Sequence, residues 1–187
     1  MCARPLPDWL IPPTRGFRAE DLDALPPHTG LIDGSLVLMS PQPGFHSVVL
    51  DLLTAGLRRT VPPHRRVRRE MTVTLGPRQR PEPDHRGGRR GGGQPSEHLS
   101  PEAVALAVEV VSPESVERDR HREPQLYAEA GIPHFWRVEN NDNAPVVYVY
   151  ELDPAKVRYV PTGIHHERLK VELPYSVDID LTEVDRL

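Results

Sequence analysis

The chain has 187 residues, enough for one domain with a hydrophobic core, and its formal net charge is −4. Cys2 is the only cysteine, which excludes a disulfide framework and leads us to expect a reducing, cytoplasmic location. No apolar run reaches the roughly 18 residues of a membrane helix, and the first residues carry no signal-peptide pattern, so we expect no membrane partner.

The first third of the chain predicts a short helix, a hairpin and a longer helix. Residues 14–25 place three apolar side chains on one helical stripe after a capping Thr14. "LIDGSLVLM", residues 31–39, predicts a hairpin, because Asp33-Gly34 suits the positive backbone angles of a two-residue turn. Residues 45–59 repeat apolar side chains at helical spacing and end in two arginines, which favour a helix C-terminus.

The middle of the chain predicts two strands with an unsuitable segment between them. "RVRREMTVTL", residues 66–75, alternates apolar and polar side chains, as a half-buried strand does. The run "HRGGRRGGG", residues 85–93, does not favour a strand because glycine weakens strands. "AVALAVEVV", residues 103–111, is apolar almost throughout and predicts a central strand buried on both faces.

The last third predicts a helix followed by four short strands. Ser115 or Asp119 could cap the helix, which would reach Ala130 and stop at Gly131. The four strand patterns predict a meander; they are "HFWRVE", "VVYVYEL", "KVRYVP" and "RLKVEL". The order of elements predicts a mixed α/β domain (an α+β mixed sheet), with a central sheet flanked by helices and a C-terminal β-meander. We expect residues 1–14 to be an extension and 15–187 to form this single domain.

Positive charge is concentrated in residues 58–90, where eleven arginines against three carboxylates leave a charge of +8. Such a block in an acidic chain indicates a site for a polyanion, and Arg65, Arg66 and Arg68 are candidates to bind a nucleic-acid backbone. The alternative is compositional, since 21 arginines and two lysines are typical of GC-rich coding sequence.

Two carboxylates, Asp84 and Glu109, stand next to or inside predicted strand segments. Mg²⁺ prefers hard oxygen ligands, usually one or two carboxylates plus substrate phosphate, so these two could hold it if their segments pair. Glu109 lies within an apolar run, where an unpaired charge is costly, and therefore needs a partner or a metal. The alternatives are an arginine partner for Glu109 and a simple turn role for Asp84, which follows a proline.

Several motifs together resemble the Uma2 family of restriction-endonuclease-like proteins, within the PD-(D/E)XK nuclease superfamily, over roughly residues 15–180. They are "LIDGSLVLMSP", "FH", "PEPD", "AVEVVSPES", "RDR" and "YAEAGIPHFWRVE". The resemblance implies a restriction-endonuclease-like core and a Mg²⁺ (or Mn²⁺) cofactor. It also implies that Asp84, Glu109 and the carbonyl of Val110 are metal ligands, and that His46 has a role at the site. The bound metal would activate water and stabilise charge on the phosphate.

Three positions depart from the family pattern. The superfamily lysine would fall at Val111, and the lysine expected on the following helix is Glu123. A glutamate that usually precedes "LIDG" is Gly30 here. Glu123 is therefore the residue at the expected catalytic position, and it suits a helix N-terminus better than a lysine does.

Other side chains are candidates to stabilise charge or to accept a proton. Arg120 and Arg122 could bind nucleic acid or stabilise charge, although an arginine cannot act as a base. His85 and His121 could accept a proton near neutral pH, or lie at the surface without a role. The aromatic set predicts core packing, with base stacking as the alternative; it comprises Tyr127, Phe135, Trp136, Tyr148 and Tyr150.

Two functions remain open from the sequence. The first is a Mg²⁺-dependent endonuclease that hydrolyses DNA. The second is a catalytically degenerate nuclease fold that binds nucleic acid or another protein. A marginal fold of an eroding gene product is a third reading, and homodimerisation is open in each case.

Overall fold

The computed structural model describes residues 7–39, 44–89 and 99–186. Cys2 and the glycine-rich residues 90–98 lie outside these ranges. The short predicted helix is a 3₁₀ helix, Ala19–Ala24, and it starts after Arg18 rather than at Thr14.

The predicted hairpin is confirmed. Strand β1 (Thr29–Ile32) pairs antiparallel with β2 (Ser35–Leu38). Asp33 and Gly34 have φ values of 53° and 79°, which is the left-handed conformation that their two-residue turn requires.

A six-stranded mixed sheet forms the centre of the fold, in the order β3-β4-β5-β6-β7-β8. Its strands are β3 (Arg65–Arg69), β4 (His85–Arg89), β5 (Val104–Val110), β6 (His134–Asn141), β7 (Ala144–Asp153) and β8 (Arg158–His165). Strands β5 and β6 are parallel, and the other neighbours are antiparallel. This arrangement confirms the predicted fold class and the buried central strand.

Helices cover both faces of the sheet. Helix α1 (Gly44–Thr60) matches the predicted long helix, and its buried side chains share one core with Val108 and Trp136. A π-helical segment, Arg118–Arg122, continues into α2 (Glu123–Glu129) on the other face, where Tyr127 packs with Phe135 and Ala107. From Leu106 to Val110, alternate residues of β5 therefore face α1 or α2, as strand geometry requires, whereas Val104, beyond the register irregularity, packs in the core under α2.

The predicted strand over residues 66–75 is too long. Strand β3 ends at Arg69 because Glu70 adopts φ 46° and redirects the chain. Val67 packs in the core under α1, whereas Val73 packs in the separate core under α2. The two valines therefore do not share a face, although they alternate in the sequence.

The expectation that the glycine–arginine run avoids a strand is wrong for its first five residues. They form β4, with a register irregularity between Gly87 and Gly88. A Cβ atom on Gly88 would lie 2.1 Å from the carbonyl oxygen of Ala103. Glycine is therefore what allows this close approach between β4 and the start of β5.

The predicted meander is confirmed for β6, β7 and β8, but its fourth strand lies elsewhere. Strand β9 (Arg168–Val171) pairs with β10 (Val177–Asp180) in a separate two-stranded ribbon. Of the predicted aromatic set, Tyr127, Phe135 and Trp136 are fully buried. Among the described residues, no helix is both long and apolar enough to cross a membrane.

Candidate functional site

The register of the sheet brings Asp84 next to Glu109. His85, the first residue of β4, pairs with Val108 of β5, so Asp84 lies beside Glu109 one step further along. The backbone N–H of Val110 donates a hydrogen bond of 2.6 Å to Oδ2 of Asp84. The other carboxylate oxygen of Asp84 lies 3.1 Å from Nε2 of His46, on α1. Four residues that we predicted for the site are thus in one neighbourhood.

Three buried carboxyl groups form a tighter cluster, which we call the acidic cluster: Glu109, Asp119 and Glu123. One oxygen of each lies within 4.8 Å of the others, and the three residues are 4%, 2% and 1% exposed. Asp84 lies beside the acidic cluster without belonging to it. Glu123, predicted as the substitute for a family lysine, is therefore the third carboxylate of the site.

Neighbouring polar groups orient the acidic cluster. The hydroxyl of Tyr127 donates a hydrogen bond of 2.5 Å to Oε1 of Glu109. The hydroxyl of Ser115 donates to Oδ2 of Asp119, whose Oδ1 atom is buried without a hydrogen bond. Nε of Arg118 lies 3.4 Å from Oδ1 of Asp119 and 3.5 Å from Oε1 of Glu123. In the described parts of the chain, Arg118 is the one guanidinium that touches the cluster.

Burial makes these carboxyl groups hard to ionise. It raises the pKa of Glu123 to about 8, with the charge of Asp119 adding to the effect. Burial also raises the pKa of Asp119 to about 7, against the opposing hydrogen bond from Ser115. The pKa of Glu109 is raised well above its usual value, first by burial and then by the charge of Glu123. Near neutral pH, the cluster therefore retains protons unless a cation replaces them.

Burial and Asp84 shift the pKa of His46 in opposite directions. Burial lowers the pKa of its imidazole, but the hydrogen bond and charge of Asp84 outweigh burial and leave that pKa above its ordinary value. Asp84 therefore stabilises the protonated imidazole of His46. Its second ring nitrogen, Nδ1, is buried without a hydrogen-bond partner among the described residues.

The π-helical segment explains how the helix reaches the strand. The N–H of Glu123 bonds to the carbonyl of Arg118, five residues earlier, and this wider turn stacks the side chains of the two residues. π-helical turns are rare and are frequent at functional sites. Here the turn directs Arg118, Asp119 and Glu123 towards β5.

Sequence reasoning treated Asp119 only as a helix cap and missed the roles of Arg118 and the Tyr127 hydroxyl. A signal was present, because residues 119, 123 and 127 are spaced by four and so lie on one helical stripe. This spacing places two carboxylates and a tyrosine on one face of the predicted helix, and the structure turns that face towards Glu109.

The two alternative histidines lie away from the acidic cluster. Nε2 of His85 lies 2.7 Å from the hydroxyl of Thr54 and 3.1 Å from the carbonyl oxygen of Leu50, on the α1 face. Burial lowers the pKa of His85 to about 4, which keeps it neutral. His121 is exposed, with Glu117 3.9 Å away.

Arg120 and Arg122, predicted to bind nucleic acid, are engaged in two-point ion pairs. Arg120 donates to Glu139 over 2.9 and 2.6 Å, and Arg122 donates to Asp33 over 2.7 and 2.5 Å. Asp33 therefore serves both the hairpin turn and the start of the helix. Arg122 is the main reason that the pKa of Asp33 falls to about 2.

The basic segment divides into a surface part and a buried part. Arg65, Arg66 and Arg68 lie on β3, an edge strand, without ion pairs among the described residues. Arg80 and Arg86 are buried, and Arg80 bonds within the fold. In the described part of this segment, the arginines without an ion pair therefore include these three at the sheet edge and Arg58, which is exposed at the end of α1.

The sequence comparison identifies the family. The model of the Uma2 family, described as "Putative restriction endonuclease", matches residues 19–182. The chain belongs to the Uma2 family. A comparison with curated proteins gives no match.

A solved structure shares the Uma2 fold. It is described as a "putative nuclease belonging to DUF820" from Anabaena variabilis, with a TM-score of 0.69 and 14% sequence identity. The match covers 90% of this chain and 97% of that one. At this identity the similarity establishes the fold and leaves the chemistry to the residues of this chain.

Proposed function

We propose that this Uma2 protein is a divalent-cation-dependent nuclease that hydrolyses phosphodiester bonds in DNA. The observation that carries the proposal is the acidic cluster of Glu109, Asp119 and Glu123, with Asp84 beside it. Carboxylate oxygens are the ligands that Mg²⁺ and Mn²⁺ prefer.

The environment of the cluster supports a cation. Three buried carboxyl groups face a single nearby guanidinium, that of Arg118, at 3.4 Å or more. Oδ1 of Asp119 has no hydrogen bond. One guanidinium cannot neutralise three buried carboxylates, and a divalent ion would offset the excess negative charge and coordinate the Oδ1 atom that lacks a hydrogen bond.

Each residue of the site then has a defined role in holding the cation or in orienting its ligands. Glu109, Asp119 and Glu123 would hold the cation, and Tyr127 and Ser115 keep two of these carboxylates oriented. Asp84 is held by the N–H of Val110 and by His46, so its carboxylate is fixed at the edge of the cluster. When bound, the metal supplies activated water and offsets charge that develops on the phosphate.

Nicking of supercoiled plasmid DNA in Mg²⁺ or Mn²⁺ tests the proposal. Glu109→Gln keeps the size of the side chain but removes its charge, and we expect at least about a 100-fold loss of rate, since even outer-shell partners cost 10–100-fold. Glu114→Gln is the matched control, because Glu114 is an exposed carboxylate in the preceding loop. Equal rates for the wild type and Glu109→Gln would reject the catalytic role.

Binding of DNA without cleavage is the second candidate, and the missing lysine favours it. Of the two lysines, Lys156 pairs with Asp153 and Lys170 lies on β9, so neither replaces the family lysine. Arg65, Arg66 and Arg68 offer a basic edge for the DNA backbone. On this reading, DNA affinity falls steeply with salt while plasmid stays intact.

One double variant separates the two candidates. A Cβ atom on the buried Gly30 meets its neighbours at 3.7 Å or more, so a β-carbon fits there without a clash. Gly30→Glu combined with Glu123→Lys restores the family residues at both positions. Cleavage that appears only in the double variant supports a silent native site, and cleavage by the wild type supports the nuclease.

A further inference from the structure

A cavity lies on the side of α2 opposite the acidic cluster. It has a volume of about 300 Å³, and its walls come from the π-helical segment, α2 and strands β6 to β8. Its lining includes three aromatic side chains, Phe135, Tyr150 and Tyr159. The ring of Phe135 lies 5.7 Å from that of Tyr150 and 5.4 Å from that of Tyr159.

Three arginines and one carboxylate, Glu129, line the same cavity. The guanidinium of Arg137 lies 5.7 Å from the centre of the Tyr150 ring, within the range of a cation–π contact. Glu139 holds both Arg137, at 2.9 Å, and Arg120. Arg158 also lines the cavity, is exposed, and has no ion-pair partner among the described residues.

The mouth of the cavity includes a strained apolar residue. Val157 has φ 50°, a conformation that β-branched residues rarely adopt, and it is 51% exposed. Strain of this kind persists where the surrounding structure enforces it, often next to a ligand. The β7–β8 turn thus presents an apolar surface beside Arg158.

We propose that this cavity binds a nucleotide, with the base stacked on Tyr150 and the phosphate bound by Arg158. A planar aromatic group suits the ring-lined wall, and an anionic group suits the free guanidinium. The volume lies at the lower end of the range for small-ligand sites, which suits one nucleotide rather than a duplex. Stacking on an aromatic side chain is tolerant of base identity, so the site accepts both purines and pyrimidines.

The site is distinct from the acidic cluster in both residues and ligand. The same helix serves both: Asp119 and Glu123 face β5, while Arg120 and Gln125 line the cavity. A free nucleotide and one nucleotide of a single strand present the same chemistry. The site therefore needs no active nuclease, and its test is a binding measurement.

Calorimetric titration with AMP and with TMP, without added metal, measures the binding. We expect both nucleotides to bind, and adenosine or inorganic phosphate alone to bind at least about tenfold more weakly. Arg158→Ala and Tyr150→Leu should each weaken AMP binding by roughly tenfold. Thermal melting of each variant verifies the fold, and Arg158→Ala remains informative if Tyr150→Leu is destabilised, because Arg158 is exposed.

Two matched controls locate the ligand. Arg66→Ala removes an unpaired arginine from the sheet edge, and Tyr148→Leu removes a tyrosine that contacts Arg137 but does not line the cavity. Both should keep AMP affinity within about twofold. An equal loss in either control, or no binding of AMP and TMP at millimolar concentration, overturns the proposal.

A single-stranded oligonucleotide distinguishes the source of the nucleotide. Tighter binding of the oligonucleotide than of AMP, lost in Arg158→Ala, identifies a strand as the natural ligand; equal binding identifies the free nucleotide. Glu109→Gln should still bind AMP. Binding of AMP by a wild type that never nicks plasmid would reject the nuclease and keep this site, so the two proposals fail separately.

Discussion

The two halves of the central sheet are built differently. Strands β6 to β8 are eight to ten residues long, rich in β-branched and aromatic side chains, and follow one another as a meander. Strands β3 and β4 have five residues each, mostly arginine and glycine, and β4 carries an irregularity. Glu109, on β5, stands at the junction with Asp84 beside it, and the helix adds Asp119 and Glu123. Strand propensity therefore stabilises strands β6 to β8. Strands β3 and β4, on the side of the sheet that carries the acidic site, depend instead on close backbone approach and tertiary contacts.

The largest effect on stability is expected in the regular half. Trp136 on β6 is completely buried between the sheet and α1, and Trp136→Ala should cost about 3–5 kcal/mol in the free energy of unfolding. Chemical denaturation measures this loss. Trp9→Ala is the control, because Trp9 is only half-buried, and a loss of equal size would contradict the expected dominance of the sheet core.

Two neighbouring glycines test how the irregular half is held. A Cβ atom on Gly88 would lie 2.1 Å from the carbonyl oxygen of Ala103, whereas on Gly87 the nearest atom is 3.6 Å away. We expect Gly88→Ala to destabilise the protein by about 1–3 kcal/mol, as overpacking does, and Gly87→Ala to have little effect. Similar melting temperatures for the two variants would show that β4 does not depend on this close approach.

The acidic cluster predicts a stability that depends on pH. In the metal-free protein, burial raises the pKa of Glu123 to about 8, whereas in the unfolded chain its carboxyl group ionises at its ordinary pKa of 4.5. Because the folded state binds more protons in this window, the free energy of unfolding should fall as pH rises from about 5 to about 8, by more than about 1 kcal/mol.

Glu123→Gln should reduce this slope, since its amide does not titrate. Denaturation in the presence of a chelator at both ends of the window measures it. Parallel pH profiles for the wild type and the variant would exclude Glu123 as a source of the effect.

The smallest effects are expected from the surface ion pairs. Arg120→Ala breaks the pair with Glu139 and Arg122→Ala breaks the pair with Asp33. Each change should cost less than about 1 kcal/mol, because exposed pairs contribute little to stability. A larger loss for Arg122→Ala, measured by thermal melting, would show that the hairpin depends on its contact with the helix.

The sequence predicted the elements whose signals are local. The Asp33-Gly34 turn, the apolar stripe of α1 and the buried run of β5 each depend on nearby residues, and all three were confirmed. Strand β4 depends instead on its neighbours in the sheet and on the carbonyl of Ala103, which no local pattern encodes. The end of β3 is likewise set by the backbone of Glu70, a residue with no strong local preference for that conformation.

The candidate site likewise combines residues that local sequence signals predicted with residues that they did not. Asp84 and Glu109 were expected to meet because two strands could pair, and the register places them side by side. From the sequence alone, Asp119 is predicted only as a cap, because a carboxylate near the start of a predicted helix is typical of a cap. The sequence could not distinguish the aromatic side chains that line the cavity from those of the core. Phe135 is buried and Tyr150 is partly exposed because of where α2 lies, which the sequence pattern does not show.

The π-helical turn at Arg118–Arg122 makes both faces of the helix sensitive to the number of residues in this segment. Removing His121 or Arg122 would restore the ordinary ladder of bonds, and the helical residues before the deletion would rotate by about 100° around the axis relative to α2. Asp119 would then point away from Glu109, and Arg120 away from the aromatic cavity. A change in the length of this segment would therefore disturb the acidic cluster and the aromatic cavity together.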